Sequence, residues 1–101
     1  MQDAGAVFAA LADPTRRALV EELARRETAT PTELAAGLPV TRQAVAKHLS
    51  ALSGAGLVTA RREGRETRYT LTPAPLAEAI DWMTAVGAQW DARLERLSKR
   101  A

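Results

Sequence analysis

The chain has 101 residues, the length of one small domain, with 47% hydrophobic residues and a formal net charge of +2. It has no cysteine, which excludes disulfides, thiolate metal sites and thiol-based redox switches. No segment is apolar for long enough to span a bilayer, and Met1-Gln2-Asp3 lacks the basic and apolar regions of a signal peptide, so a cytoplasmic location is expected.

Ala4 to Ala12 is Ala-rich, with Val7, Phe8 and Leu11 at helical spacing, and reads as a first helix. Asp13-Pro14 then starts a second, Asp as the N-cap and Pro at the first helical position. This helix runs to about Arg26, with Ala18, Leu19, Leu23 and, less firmly, Val20 inward, and Arg17, Glu21, Glu22 and Arg25 outward. Arg16 and Arg17, near its start, either meet a phosphate or simply solvate the surface, and solvation is the preferred reading.

Thr30-Pro31-Thr32-Glu33 is a capping box opening a short third helix, Pro31 to Leu38, with Leu34, Ala35 and Leu38 toward the core. Pro39-Val40 makes a tight turn, and Thr41 caps a fourth helix. In that helix Val45, Leu49 and Leu52 share a buried stripe, while Arg42, Gln43, Ala46, Lys47 and Ser50 form a flat, polar, basic outer face. Helix, short turn and capped second helix with a polar outer face is the pattern of a helix-turn-helix reading unit. The third helix would then cross a DNA backbone. There Thr30 and Thr32 either hold a phosphate or serve only as caps, and the two roles are compatible.

The fourth helix ends near Ser53-Gly54-Ala55-Gly56. Leu57 to Arg62 is a strand, Glu63-Gly64-Arg65-Glu66 a turn, and Thr67 to Leu71 the return strand. Leu57, Tyr69 and Leu71 point inward, Val58 less certainly. After a helix-turn-helix such a hairpin is a wing. Arg61, Arg62, Arg65 and Arg68 on it could reach a backbone or an adjacent minor groove.

Thr72-Pro73 opens the last helix, where Leu76, Ile80, Met83, Gly87, Trp90, Leu94 and Leu97 step by fours and threes, with Trp82 and Val86 alongside. This apolar face exceeds what one small, Ala-rich domain needs. With Val7, Phe8 and Leu11 of the first helix, the residues Ile80, Met83, Gly87, Trp90 and Leu94 are therefore expected to pack on a second copy. Trp82, Met83, Val86 and Trp90 could alternatively line a small-molecule site, but the dimer core is the preferred reading.

Charge follows the same geography. Residues 41–70 hold Arg42, Lys47, Arg61, Arg62, Arg65 and Arg68 against Glu63 and Glu66, a local +4 that leaves −2 for the rest. That is an electrostatic footprint for phosphate. Catalysis would need a nucleophile with a positioned base, or a metal. With no Cys, one His and no Gly-rich phosphate loop, an enzyme is not expected.

The expected fold is mostly α with a small β-hairpin, a single winged helix-turn-helix over residues 1–101 in the order of four helices, two strands and a final helix. The chain resembles the ArsR/SmtB family of small dimeric winged-helix repressors. The resemblance lies in Phe8 to Arg17, Thr32-Glu33-Leu34-Ala35, Gln43 to Leu49, Leu52, Gly56-Leu57-Val58 and Arg61 to Arg65, and it spans roughly residues 4–90. It implies a homodimer joined through the first and last helices, bound to a pseudo-palindromic operator and blocking transcription, often of its own operon. Metal-sensing members carry a Cys-x-Cys type motif on the third helix, where this chain has Leu34-Ala35-Ala36-Gly37-Leu38. Others use Asp and His pairs on the last helix, where this chain has Glu78, Asp81, Asp91 and Glu95 but no His. Carboxylates alone hold first-row metals weakly. The lone His48 lies on the reading helix. A metal-independent branch, needing no cofactor, is the expectation.

In such a repressor Thr41, Arg42, Gln43, Ala46 and Lys47 would enter the major groove. Gln43 would pair with an adenine edge and Arg42 with a guanine, or either with a phosphate. The rival reading is a winged helix used only for protein interaction, which accounts for the last helix but not for the +4 on the reading helix and wing.

Overall fold

The computed structural model describes residues 4–100, so Met1, Gln2, Asp3 and Ala101 fall outside the described residues. Five helices and one hairpin follow in order: α1 (Ala4–Ala10), α2 (Pro14–Arg25), α3 (Pro31–Ala36), α4 (Arg42–Gly54), β1 (Val58–Glu63), β2 (Glu66–Leu71) and α5 (Ala74–Arg100).

Each helix start has a local cause. The Asp13 carboxylate accepts from the Thr15 and Arg16 amides at 2.8 and 3.1 Å, and Pro14 fills the first helical position, where its missing amide costs nothing. α1 ends at Ala10 rather than Ala12, and the chain tightens there: Leu11 N still donates to Val7 O at 3.0 Å, but Ala12 N donates to Ala9 O at 3.3 Å. Its last carbonyls do not go unpaired. Arg16 Nε donates to Ala10 O at 2.6 Å, and Arg17 Nη1 donates to Leu11 O and Ala12 O at 2.7 and 3.1 Å. The two arginines thus clamp the end of α1 from the first turn of α2, a role beyond surface solvation.

At the far end of α4 the chain closes in a Schellman motif. Leu57 N donates to Leu52 O at 3.0 Å and Gly56 N to Ser53 O at 2.9 Å, with Gly56 left-handed at φ 77°. The buried Leu52 and Leu57 stand at the two positions whose apolar contact accompanies that motif. Their burial fixes where the hairpin leaves the helix.

The core lies where α1, α2, α3 and α4 converge on the base of the hairpin. Val7, Leu19, Leu23, Leu34, Val45, Leu49, Leu52 and Leu57 are all under 3% exposed. The expected stripe of α4 is thus fully inside. Val58 is buried too, whereas Ala18, Ala35 and Leu38 are only half-buried. Burying eight such side chains contributes on the order of 10–20 kcal/mol before conformational entropy is subtracted.

β1 and β2 pair antiparallel from Val58↔Leu71 to Glu63↔Glu66, joined by the two residues Gly64 and Arg65. Gly64 has φ 61° and Arg65 a negative φ, the demand of a type II′ turn, whose twist matches that of the strands. A backbone bridge extends the pair toward the body: Tyr69 N donates to Ala29 O at 2.9 Å and Ala29 N to Tyr69 O at 3.1 Å.

α5 rests on the body only through its first turns, where Pro75 and Ala79 are buried and Leu76 is half-buried. At 27 residues it is about 40 Å long, and it stretches the molecule to 64 Å in its longest dimension. Ile80, Trp82, Met83, Trp90, Leu94 and Leu97 are 48–56% exposed.

One assignment from the sequence is corrected. Val7, expected at a dimer seam, is 1% exposed and belongs to the protomer's own core. α1 turns Val7 inward and Phe8 outward, and Phe8 packs edge-on against Trp82 at 5.7 Å between ring centroids. Leu11 lies in the turn after α1, half-buried against the core. A β-carbon at Gly87 would meet nothing within 4 Å, so that glycine faces open space.

Candidate nucleic-acid interface

The outer face of α4 is set by elimination. Once Val45, Leu49 and Leu52 are buried, the 3.6-residue period turns Arg42, Gln43, Ala46, Lys47 and Ser50 outward, and all five are exposed. Thr41 is exposed as well, and its Oγ1 accepts from the Ala44 amide at 3.0 Å. That bond pins the first turn of α4, whose free amides carry the positive end of the helix dipole.

Thr30 and Thr32 part ways. Thr32 is exposed on the first turn of α3. Thr30 is 7% exposed and held by the capping box, its hydroxyl accepting from Glu33 N at 3.2 Å while Glu33 Oε1 accepts from Thr30 N at 2.9 Å. Thr30 is thus mostly enclosed, and its remaining surface, like that of Thr32, borders a cleft between the wing and the starts of α3 and α4.

The wing arginines also divide. Arg61 donates to Glu63 at 2.7 Å. Arg68 donates to Glu33 Oε1 at 3.1 Å, lies 3.8 Å from Glu66 and reaches Thr28 at 3.4 Å. Each therefore enters an ion pair within the chain, Arg68 at 25% side-chain exposure and Arg61 on the surface at 74%. Arg62 donates only to the Gly64 carbonyl, at 3.1 Å. Among the described residues Arg42, Lys47 and Arg65 enter no ion pair. Arg42, Arg62 and Arg65 line one cleft between the wing and the starts of α3 and α4, with Thr32, Thr67 and the carboxylates of Glu33 and Glu66. Residues about 20 apart in sequence therefore bring three guanidinium groups together beside two carboxylates, a local excess of positive charge.

The carboxylates follow from this geometry. The Thr30 amide, and then the Arg68 guanidinium, hold the Glu33 carboxyl below the usual carboxylate range. The hydrogen bond and charge of Arg61 do the same for Glu63. Asp13 is lowered chiefly by the Arg16 amide, with a smaller contribution from the charge of His48. His48 is half-buried on the flank of α4 that looks toward this cap. The carboxylates of α5, Glu78, Asp81, Asp91 and Glu95, are all exposed. Among the described residues no three or more His, Cys, Asp or Glu are grouped to hold a metal ion. On α5, Val86 and Trp90 border a shallow open depression with Gln89, Arg93 and Arg96, and Arg93 lies 5.6 Å over the Trp90 ring.

Sequence reasoning missed three devices: the clamp of Arg16 and Arg17, the Ala29–Tyr69 bridge and the Glu33–Arg68 pair. Glu33 was visible in its capping box, but its partner lies 35 residues away.

A buried helix-turn-helix scaffold, an exposed polar second helix and a hairpin beside it define the winged helix-turn-helix class of DNA-binding proteins. A family model described as a helix-turn-helix domain matches residues 11–61. An uncharacterised HTH-type transcriptional regulator of Bacillus subtilis, YuzN, is 48% identical over 74% of this chain and 88% of its own length. An ArsR-like transcriptional regulator from Rhodococcus superposes with a TM-score of 0.83 at 43% identity, covering 97% of this chain and 92% of the other. The cadmium metal-sensor CmtR of Mycobacterium tuberculosis superposes at 0.62 with 43% identity, over 78% and 80% of the two chains. The chain belongs to the ArsR/SmtB family of winged helix-turn-helix repressors. It is a DNA-binding transcriptional regulator and not an enzyme.

Proposed function

We propose that the chain acts as a homodimeric repressor, often of its own operon, on a pseudo-palindromic operator, and that it does so without a metal. The single observation that carries the reading is the cleft where the free cations Arg42, Arg62 and Arg65 converge beside the exposed face of α4. In this reading Thr41, Arg42, Gln43, Ala46, Lys47 and Ser50 face the major groove, Gln43 suited to an adenine edge and Arg42 to a guanine or a phosphate. Arg62 and Arg65 meet the flanking backbone or minor groove, and Thr32 a phosphate. A two-fold dimer places two such helices about one DNA turn, ~34 Å, apart.

Two observations support the rest. The half-exposed Ile80, Met83, Trp90 and Leu94, with Phe8, leave an apolar face that a second copy can cover. The cadmium-sensing relative has a counterpart here with no cysteine, and soft cations favour thiolate ligands. The test is a titration of the purified protein onto the DNA upstream of its own coding sequence, over a salt series, with and without zinc and chelator. Tight, salt-sensitive binding indifferent to both is expected. Arg42→Ala and Lys47→Ala should abolish it while leaving the dimer intact. Release by zinc would refute metal independence, and unchanged binding in both variants would refute the assignment of α4.

A further inference from the structure

We propose that Arg68 is a positioning residue: through Glu33 it locks the wing against the start of α3, and so sets where Arg62 and Arg65 stand relative to α4, without itself touching DNA. The proposal rests on the reading of α4 and the wing as the DNA surface. Its observation is a shared atom. Glu33 Oε1 accepts from the Thr30 amide at 2.9 Å and from Arg68 Nη1 at 3.1 Å, so one carboxylate oxygen ties the cap of α3 to the middle of β2.

The hairpin needs such a tie. Among the described residues its backbone reaches the segment before α3 only through the isolated bridge of Ala29 and Tyr69, one residue pair wide. The buried Leu57 and Val58 fix the base of the hairpin, and a tie further toward the turn is what fixes the orientation of its tip. Arg68, adjacent in the chain, supplies that tie through Glu33 and Thr28, while Glu66 lies 3.8 Å from its Nε. The Arg68 side chain is 25% exposed, against 74% for Arg61, so its charge is spent inside the fold. A guanidinium suits the place, because it donates to Glu33 and Thr28 while its charge also lies 3.8 Å from the Glu66 carboxylate.

Charge makes the proposal separable from its rival. If Arg68 were a phosphate contact and Glu33 a bystander, removing the Glu33 charge beside the cleft would tighten DNA binding. If the pair positions the wing, removing either charge loosens it. Glu33→Gln is suitable because glutamine keeps the capping box and deletes only the ion pair. Arg68→Gln is its counterpart, and Arg68→Lys keeps the charge but not the fork.

The experiment measures binding of the upstream DNA across a salt series for the full chain and these variants. Glu33→Gln, Arg68→Gln and Arg68→Lys should each weaken binding by about three- to five-fold. The double variant Glu33→Gln, Arg68→Gln should be no weaker than either single one. The slope of log affinity against log salt should stay at the wild-type value. Tighter binding by Glu33→Gln would overturn the proposal, as would a slope reduced by about 0.9 per protomer in Arg68→Gln. A second readout needs no DNA: heteronuclear relaxation of the backbone amides of residues 61–67 in the free protein. Faster motion in Glu33→Gln supports the lock even if no specific DNA is bound, and unchanged motion overturns it.

Discussion

Raising the salt concentration from about 50 to about 200 mM should weaken DNA binding by a factor that the ion pairs of the free protein determine. The sequence offers six cations between residues 41 and 70, but Arg61 is held by Glu63 and Arg68 by Glu33. Arg42, Lys47, Arg62 and Arg65 remain, four per protomer and eight in a two-fold dimer. Each neutralised phosphate contributes about 0.9 to the salt exponent, so the slope should be about −7 with all four on phosphates and shallower where Arg42 or Lys47 meets a base instead, against about −11 if all six cations per protomer took part. Over a fourfold rise in salt these exponents separate a loss on the order of 10⁴ from one on the order of 10⁶. Fluorescence anisotropy with a labelled duplex measures the slope directly. Arg65→Ala should flatten it by about 2, one phosphate in each half-site. A wild-type slope near −11 would show that DNA breaks the intramolecular pairs and that Arg61 and Arg68 also meet phosphates.

Three further outcomes follow from other parts of the molecule. Gly56→Ala places a β-carbon on a residue at φ 77° and should cost about 1 kcal/mol, lowering Tm by about 4–8 °C, whereas Gly54→Ala, inside α4 with nothing within 4 Å of the new carbon, should raise it slightly. Acid should destabilise the chain. The Asp13 and Glu33 carboxyls lie below their ordinary values when folded, so the unfolded chain binds more protons, and stability that is complete above about pH 4.5 is lost as pH falls through the folded values. Asp13→Asn keeps an acceptor for the cap amides and should flatten that loss in thermal melts taken at decreasing pH. Leu94 is 55% exposed, so covering it in a dimer contributes about 1 kcal/mol per copy. Leu94→Ala should therefore raise the dimer dissociation constant by about 30-fold in sedimentation analysis, and no change would place the seam elsewhere.

Most of the fold was legible because its signals are local. Thr41 beside the stripe of Val45, Leu49 and Leu52, the Thr30–Glu33 box, and Gly64 between two short alternating runs each fix an element within a few residues. What was not legible needed a partner from far along the chain. Val7 and Phe8 are adjacent apolar residues about 100° apart on a short Ala-rich helix, and nothing local says which one faces the core. The wing arginines look alike in sequence. Arg61 finds Glu63 two residues away, but Arg68 finds Glu33 across 35. Four cations free of ion pairs were thus separated from two occupied ones by tertiary structure alone.

The division of labour on α1 reaches beyond the fold. Seven residues are too few to hold a helix in water unaided, so α1 is ordered by its surroundings: the core under Val7, the carbonyl clamp at its end, and Trp82 beside Phe8. In the proposed dimer the last of these supports would itself be braced by the second copy, which ties folding to association by mass action. Newly made copies in a dilute pool would then be the loosest and the most open to proteolysis, and accumulation would protect them. Abundance would feed back on turnover, so that promoter occupancy rises more steeply with synthesis than binding alone provides.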